Sequence, residues 1–123
     1  MRHYDELAVY QRDGFTVVVD KTWEDLSPRD LFEPEDADDI CRRIDSCELD
    51  WFMLRVRVFV EGLELASEYL GGCCYEDARE VLTDGTAEDC IYEALREAKM
   101  QVYRVKQKFC ELSDMIDREG VTQ

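Results

Sequence analysis

The stretch WFMLRVRVFVEGLELASEYL, residues 51–70, decides the fold of this 123-residue chain. Its first half alternates apolar side chains with larger or charged ones at a period of two, which indicates a β-strand with one buried face. Glu61-Gly62 predicts a tight turn, so residues 63–70 become the returning strand of a hairpin. A consistent register on both faces pairs Val60 with Leu63, Val58 with Leu65, Leu54 with Tyr69 and Arg55 with Glu68.

The residues before the hairpin predict one more strand and two helical segments. Residues 15–20 hold three consecutive valines after the turn signal Asp13-Gly14 and read as a strand. Residues 1–12 are interpreted as a short helix. The two prolines between residues 22 and 34 predict a loop with at most one helical turn. Asp36 is the expected cap of a following helix.

A long helix, over about residues 87–119, is predicted to end the chain. Residues 75–82 read as a short helix before it, Thr86 with Asp89 suggests a variant capping box, and Gly120 marks the stop. Its apolar stripe advances by alternating steps of four and three, which is a heptad pattern. The stripe comprises Ile91, Leu95, Ala98, Val102, Val105, Phe109, Leu112 and Ile116. At about 50 Å, a straight helix would overhang a ten-residue strand, so it must bend, break or pack its end on something else.

These elements define an α+β fold. We predict a small antiparallel sheet of three strands, with the hairpin at its centre, packed against the long helix and shorter helices. The length and the 46% apolar content suit one domain spanning residues 1–123. The positions flanking the stripe offer several bases and no opposite-charge pairs for a parallel coiled coil, so packing on the chain's own sheet, as a monomer, is favoured over a dimer.

The formal net charge of −15 is the strongest pointer to function. Residues 20–50 hold twelve acids and four bases, whereas residues 98–110 hold four bases and no acid. Fixed carboxylates can imitate a phosphate array and attract a basic partner over long range. The candidate partner-binding residues are Glu24, Asp25, Asp30, Glu33, Glu35, Asp36, Asp38 and Asp39.

Catalytic and cofactor chemistry finds little support in the residues, so we expect a protein that is not an enzyme. The single histidine, His3, is close to the terminus and has no nucleophile motif near it. The six cysteines form no C-x-x-C pair and read as buried free thiols, and residues 33–39 lack the glycine and distal glutamate of a calcium loop. No phosphate-binding glycine motif occurs, and we expect no cofactor and no metal site. The overall field also disfavours direct nucleic-acid binding.

Several short segments resemble a group of small acidic proteins from phages and other bacterial mobile elements. The likeness covers about residues 25–98 and rests on Ser27-Pro28-Arg29-Asp30, Asp50-Trp51-Phe52, residues 67–75 (SEYLGGCCY) and Glu88-Asp89. That group has no assigned activity, so the resemblance transfers no functional residue. It implies a setting in which small acidic proteins often inhibit host defence, as anti-restriction and anti-CRISPR proteins do.

Two functions therefore remain open. The first is an anti-defence inhibitor that binds a basic, nucleic-acid-handling host protein, such as a nuclease or effector complex. The second is a structural or assembly module that docks through the heptad stripe. No apolar stretch is long enough to cross a bilayer and residues 1–6 lack a secretory signal, so we expect the cytoplasm of a bacterial host and no membrane partner.

Overall fold

The structure, a computed structural model, describes residues 2–120. It is an α+β fold, as predicted, in which a four-stranded antiparallel sheet of order β1-β2-β3-β4 carries a long C-terminal helix. The elements are β1 (Asp5–Arg12), β2 (Phe15–Trp23), α1 (Pro34–Asp45), β3 (Asp50–Val60), β4 (Leu63–Tyr75) and α2 (Thr86–Arg118). Short 3-10 turns at Pro28–Asp30 and Ala78–Leu82 connect them, the second replacing the helix predicted over residues 75–82.

The fourth strand is β1, where the sequence predicted a short helix, and that prediction was wrong. β1 pairs with β2 as an edge strand, with Val9 opposite Val18. Asp13 and Gly14 both adopt positive φ, at 55° and 87°, the geometry of a tight hairpin turn. Pairing with the β-branched run of β2 outweighs the weak local helical preference of these residues.

The predicted central hairpin is confirmed, but its register is not the predicted one along most of its length. Val60 lies opposite Leu63 as expected. A bulge between Val58 and Phe59 then shifts the pairing by one residue, so Val58 lies opposite Ala66. Correspondingly, Leu54 pairs with Leu70 and Arg55 with Tyr69. The extra residue in β4 cannot be read from alternation alone, because a bulge breaks the period of two.

One face of the sheet and the first half of α2 form the core. Val17, Val19, Leu54, Val56 and Val58 are fully buried beneath the helix. The buried residues of the helix at this contact are Ala87, Ile91, Ala94, Leu95 and Ala98. The three alanines among them let the helix approach the sheet closely.

The opposite face of the sheet holds a buried ion cluster. The Asp20 carboxylate, 3% exposed as a residue, accepts hydrogen bonds from Arg55 Nε at 2.8 Å and Nη2 at 2.7 Å. Arg57 Nη2 lies 3.3 Å from the same carboxylate, and the ring of Tyr4 stacks on the Arg55 guanidinium. The hydrogen bond to Asp20 raises the pKa of Arg55, so this guanidinium stays charged.

At the ends of the helices, two capping predictions were wrong and a third is confirmed. α1 begins at Pro34 after Glu33, so Asp36 lies inside the first turn and is not the cap. α2 is capped by Gly85, at φ 95°, and not by Thr86; Asp84 accepts a hydrogen bond from the Thr86 amide at 2.9 Å. Gly120, at φ 72°, stands at the end of α2 as predicted.

Among the described residues, no helix is long and apolar enough to span a membrane.

Candidate functional site: the exposed half of α2

Helix α2 is continuous over 33 residues, but within residues 2–120 only its first half packs against the rest of the fold. Every α2 residue that is buried lies between Ala87 and Ala98. From Val102 to Arg118, each residue is exposed. We call residues 102–118 the bare half of α2. At 1.5 Å per residue it extends for about 25 Å beyond the sheet.

The apolar stripe continues unchanged into this bare half. Its side chains there are between 39% and 66% exposed, with Phe109 the most exposed. These side chains are Val102, Val105, Phe109, Leu112 and Ile116, with Met115 beside them. Since they follow the same three-and-four spacing as the buried residues of α2, they lie on the helix face that meets the sheet further up.

Charge along the bare half changes sign at its middle. Arg104, Lys106 and Lys108 precede Phe109, and Glu111, Asp114 and Asp117 follow it. Two of these cations make loose pairs within the helix, Arg104 with Glu97 at 3.7 Å and Lys108 with Glu111 at 3.7 Å. Lys106 has no ion-pair partner among residues 2–120. The segment is therefore basic first and acidic second, along one apolar stripe.

The eight acids predicted to bind a partner are not brought together as one free surface. Glu24 turns toward the protein, and its carboxylate accepts hydrogen bonds from the amides of Leu26 at 3.1 Å and Gly72 at 2.9 Å. Asp30 accepts the Ser27 amide at 2.9 Å and so closes a 3-10 turn. These two carboxylates hold the loop before α1 in place.

Three more of the eight are held by cations or an indole. Asp25 pairs with Arg2 at 2.5 Å and accepts the Trp23 indole N–H at 2.8 Å, and the bond from Arg2 lowers the pKa of Asp25. Asp38 pairs with Arg29, and Asp39 with Arg42.

That leaves Glu33, Glu35 and Asp36, at the start of α1. All three are exposed, and none has an ion pair or side-chain hydrogen bond within residues 2–120. Their position suits the positive end of the helix dipole, which stabilises acids in a first turn. Exposed acids occur on other elements as well, among them Glu6 on β1, Glu61 at the hairpin tip and Glu80 after β4.

The thiols and the histidine show no assembled chemical centre. All six cysteines are free, but only Cys73 is fully buried, and Cys47 and Cys110 are exposed, so the expectation of buried thiols holds for one position only. Burial raises the pKa of Cys73 to about 11. His3 contacts Asp5 at 2.7 Å on the surface. Within residues 2–120, no three His, Cys, Asp or Glu side chains are grouped as a metal site would require.

With this geometry established, the chain was compared with known proteins. No protein family, no curated protein and no solved structure matches it.

Proposed function

We propose that this protein is a non-catalytic interaction module that docks through the bare half of α2. The observation that carries the proposal is the apolar stripe from Val102 to Ile116, which is continuous with the buried stripe and is covered by nothing within residues 2–120. Contiguous exposed apolar patches on folded proteins commonly mark interaction sites. An amphipathic helix presenting such a stripe is a standard element of helix-mediated recognition.

The composition of the bare half supports docking over a merely solvated helix. The side away from the stripe carries Arg104, Gln107, Glu111, Asp114 and Arg118, and Tyr103 is the one large aromatic residue of the bare half on that side. An isolated helix of this length is marginal in water, and most helical stability in proteins comes from packing an apolar side. A covering partner would supply that packing.

The double substitution Val105→Glu with Phe109→Glu should abolish docking. It places two carboxylates in the middle of the stripe, where a partner would have to desolvate them at a cost of several kcal/mol. The measurement is quantitative affinity capture from the source cells with the tagged protein, followed by mass spectrometry. We expect every specifically retained protein, including untagged copies of this chain, to fall at least about tenfold in the variant.

The control is Tyr103→Glu, on the same bare half but on the side of the helix away from the stripe. Tyr103 is 63% exposed, so this change adds one carboxylate, against two in the double variant, without entering the stripe. It should retain the captured proteins at the level of the unmodified chain. Equal recovery by all three forms would contradict the proposed docking surface.

A second candidate function is inhibition of a basic, nucleic-acid-handling protein, in the manner of anti-restriction and anti-CRISPR proteins. The observation that favours it is the free acidic group Glu33, Glu35 and Asp36 on a chain of net charge −15. Most cations of the fold already have an acidic neighbour, so these carboxylates remain available to an external cation. A field of this sign accelerates association with a basic surface.

Reversing that group by Glu33→Lys, Glu35→Lys and Asp36→Lys should slow association with such a partner at least about tenfold at low salt. The rate is measured by surface plasmon resonance against a basic protein that capture retains at low salt and releases at high salt. The control reverses Glu6, Glu61 and Glu80, which changes net charge equally elsewhere on the fold. If the two triple variants slow association to the same extent, the group at the start of α1 is not the binding site.

A further inference from the structure

We infer that the bare half of α2 is covered by the bare half of a second copy of this chain, running antiparallel, so that the protein is a symmetric dimer. The inference rests on the proposed docking function and names its occupant. Three features of residues 86–118 carry it: the side of the helix on which the stripe lies, the order of charges, and the spacing of the large apolar residues.

The position of the sheet excludes a parallel arrangement. The stripe faces the chain's own sheet from Ala87 to Ala98 and continues on that side through Val102 and Phe109. A parallel partner helix seated on the bare half would have to run on through the space that the sheet occupies. An antiparallel partner helix ends where the sheet begins, because Arg118, the last residue of its α2, reaches only the start of the bare half. The two folded bodies then lie at opposite ends of the helix pair.

The charges also fit the antiparallel direction. Residues 99–108 carry Lys99, Arg104, Lys106 and Lys108 and no acid, whereas residues 111–119 carry four acids and only Arg118 as a base. Antiparallel pairing sets the basic segment of each copy level with the acidic segment of the other, so their fields attract at long range even though Glu111 and Asp114 lie on the side away from the stripe. Parallel pairing would set bases against bases and acids against acids, which costs affinity.

The spacing of the stripe selects one register. Antiparallel helices interleave when Phe109 of one copy packs against Leu112 of the other and Val105 packs against Ile116, about a two-fold axis between residues 110 and 111. Every large side chain of the bare stripe except Val102 then has an apolar counterpart. A shift by one heptad toward the sheet would direct Ile116 at Ala98, which is already buried. Knob-into-hole packing of this kind is the usual use of a heptad stripe.

The proposed dimer differs from the monomer that the sequence favoured. That expectation assumed that the helix packs along the chain's own sheet, and it considered a parallel pair only. The sheet supports only the first half of α2. Repulsion between two chains of net charge −15 is reduced because the acidic bodies lie at opposite ends, well beyond the screening length of about 8 Å at physiological salt.

Light scattering with size separation tests the dimer. The unmodified chain should show twice its 14.5 kDa mass. Phe109→Glu should raise the dissociation constant at least about a hundredfold and give a monomer, while Tyr103→Glu leaves the dimer intact. Lys106→Glu with Lys108→Glu should also weaken the dimer, since residues 99–108 would then have no net charge and would no longer attract the acidic segment of the other copy. A monomeric unmodified chain at all concentrations overturns the inference.

Disulfide trapping tests the relative direction of the two helices in the dimer. In a background of Cys47→Ser and Cys110→Ser, one preparation carries Val105→Cys and another carries Ile116→Cys. Under mild oxidation, the mixture should form a covalent dimer between positions 105 and 116, and each preparation alone should stay largely uncrosslinked. Efficient 105-to-105 crosslinking in the single preparation indicates parallel helices and overturns the inference.

The outcomes separate this inference from the function on which it rests. A monomer that still captures another protein, and loses it in the Val105→Glu, Phe109→Glu variant, overturns the dimer and keeps the docking surface. A monomer that captures nothing in a stripe-dependent way overturns both.

Discussion

Val58→Asp should leave the protein unfolded at 25 °C. Val58 has no exposed surface, lies on β3 opposite Val17 of β2 and Ala66 of β4, and belongs to the core beneath α2. An aspartate there must either bury an ionised carboxylate with no cation beside it or protonate, and either choice costs several kcal/mol. Lost apolar packing adds to this, and a domain of this size has only about 5–15 kcal/mol of total stability.

The measurement is circular dichroism with urea titration. We expect no cooperative transition for Val58→Asp, against a single transition for the unmodified chain. Val9→Asp introduces the same group on the edge strand β1, at a residue 47% exposed, and should keep a cooperative transition. A folded Val58→Asp variant would show that the sheet face beneath α2 is not the core.

Asp20→Ala should destabilise the fold by about 3–5 kcal/mol. The substitution removes the carboxylate that both Arg55 and Arg57 contact, and leaves two guanidinium groups, 13% and 26% exposed, without their shared anion. Breaking a buried pair from one side costs more than the pair contributes, because the remaining charge is uncompensated. The change in free energy of unfolding is read from the urea midpoint and slope.

Two further variants define the cause of that loss. Asp20→Asn keeps the shape and two acceptor lone pairs without the charge, so it should cost less than Asp20→Ala. Asp25→Ala removes a surface partner of Arg2 and should leave the midpoint close to that of the unmodified chain. A midpoint for Asp20→Ala equal to that of Asp25→Ala would mean that the buried cluster contributes nothing to stability.

The parts of the fold that local pattern determines were the parts that could be predicted. The hairpin follows from the alternation in β3 and the Glu61-Gly62 turn, and α2 follows from its stripe and from Gly120. β1 was missed because its residues carry mixed local signals and become a strand by pairing with β2. The two register shifts in the hairpin, between Phe52 and Leu54 and between Val58 and Phe59, were missed because an extra residue is invisible to a period-of-two pattern.

The two candidate surfaces also differ in how far the sequence could predict them. Sequence counts every acid of residues 20–50 alike, but hydrogen bonds and cations from distant positions, such as Gly72 and Arg2, occupy several of them. Those contacts depend on tertiary structure. The helix length already indicated an overhang, but only the structure shows that the overhang starts at Val102 and that its apolar stripe is exposed.

The most direct test of a covered α2 is amide hydrogen exchange at about 5 µM and about 200 µM protein. We predict that residues 103–116 gain protection with concentration, that residues 87–98 change little, and that Phe109→Glu removes the gain. Fast exchange of residues 103–116 at both concentrations, unchanged by Phe109→Glu, would contradict a second copy on the bare half of α2.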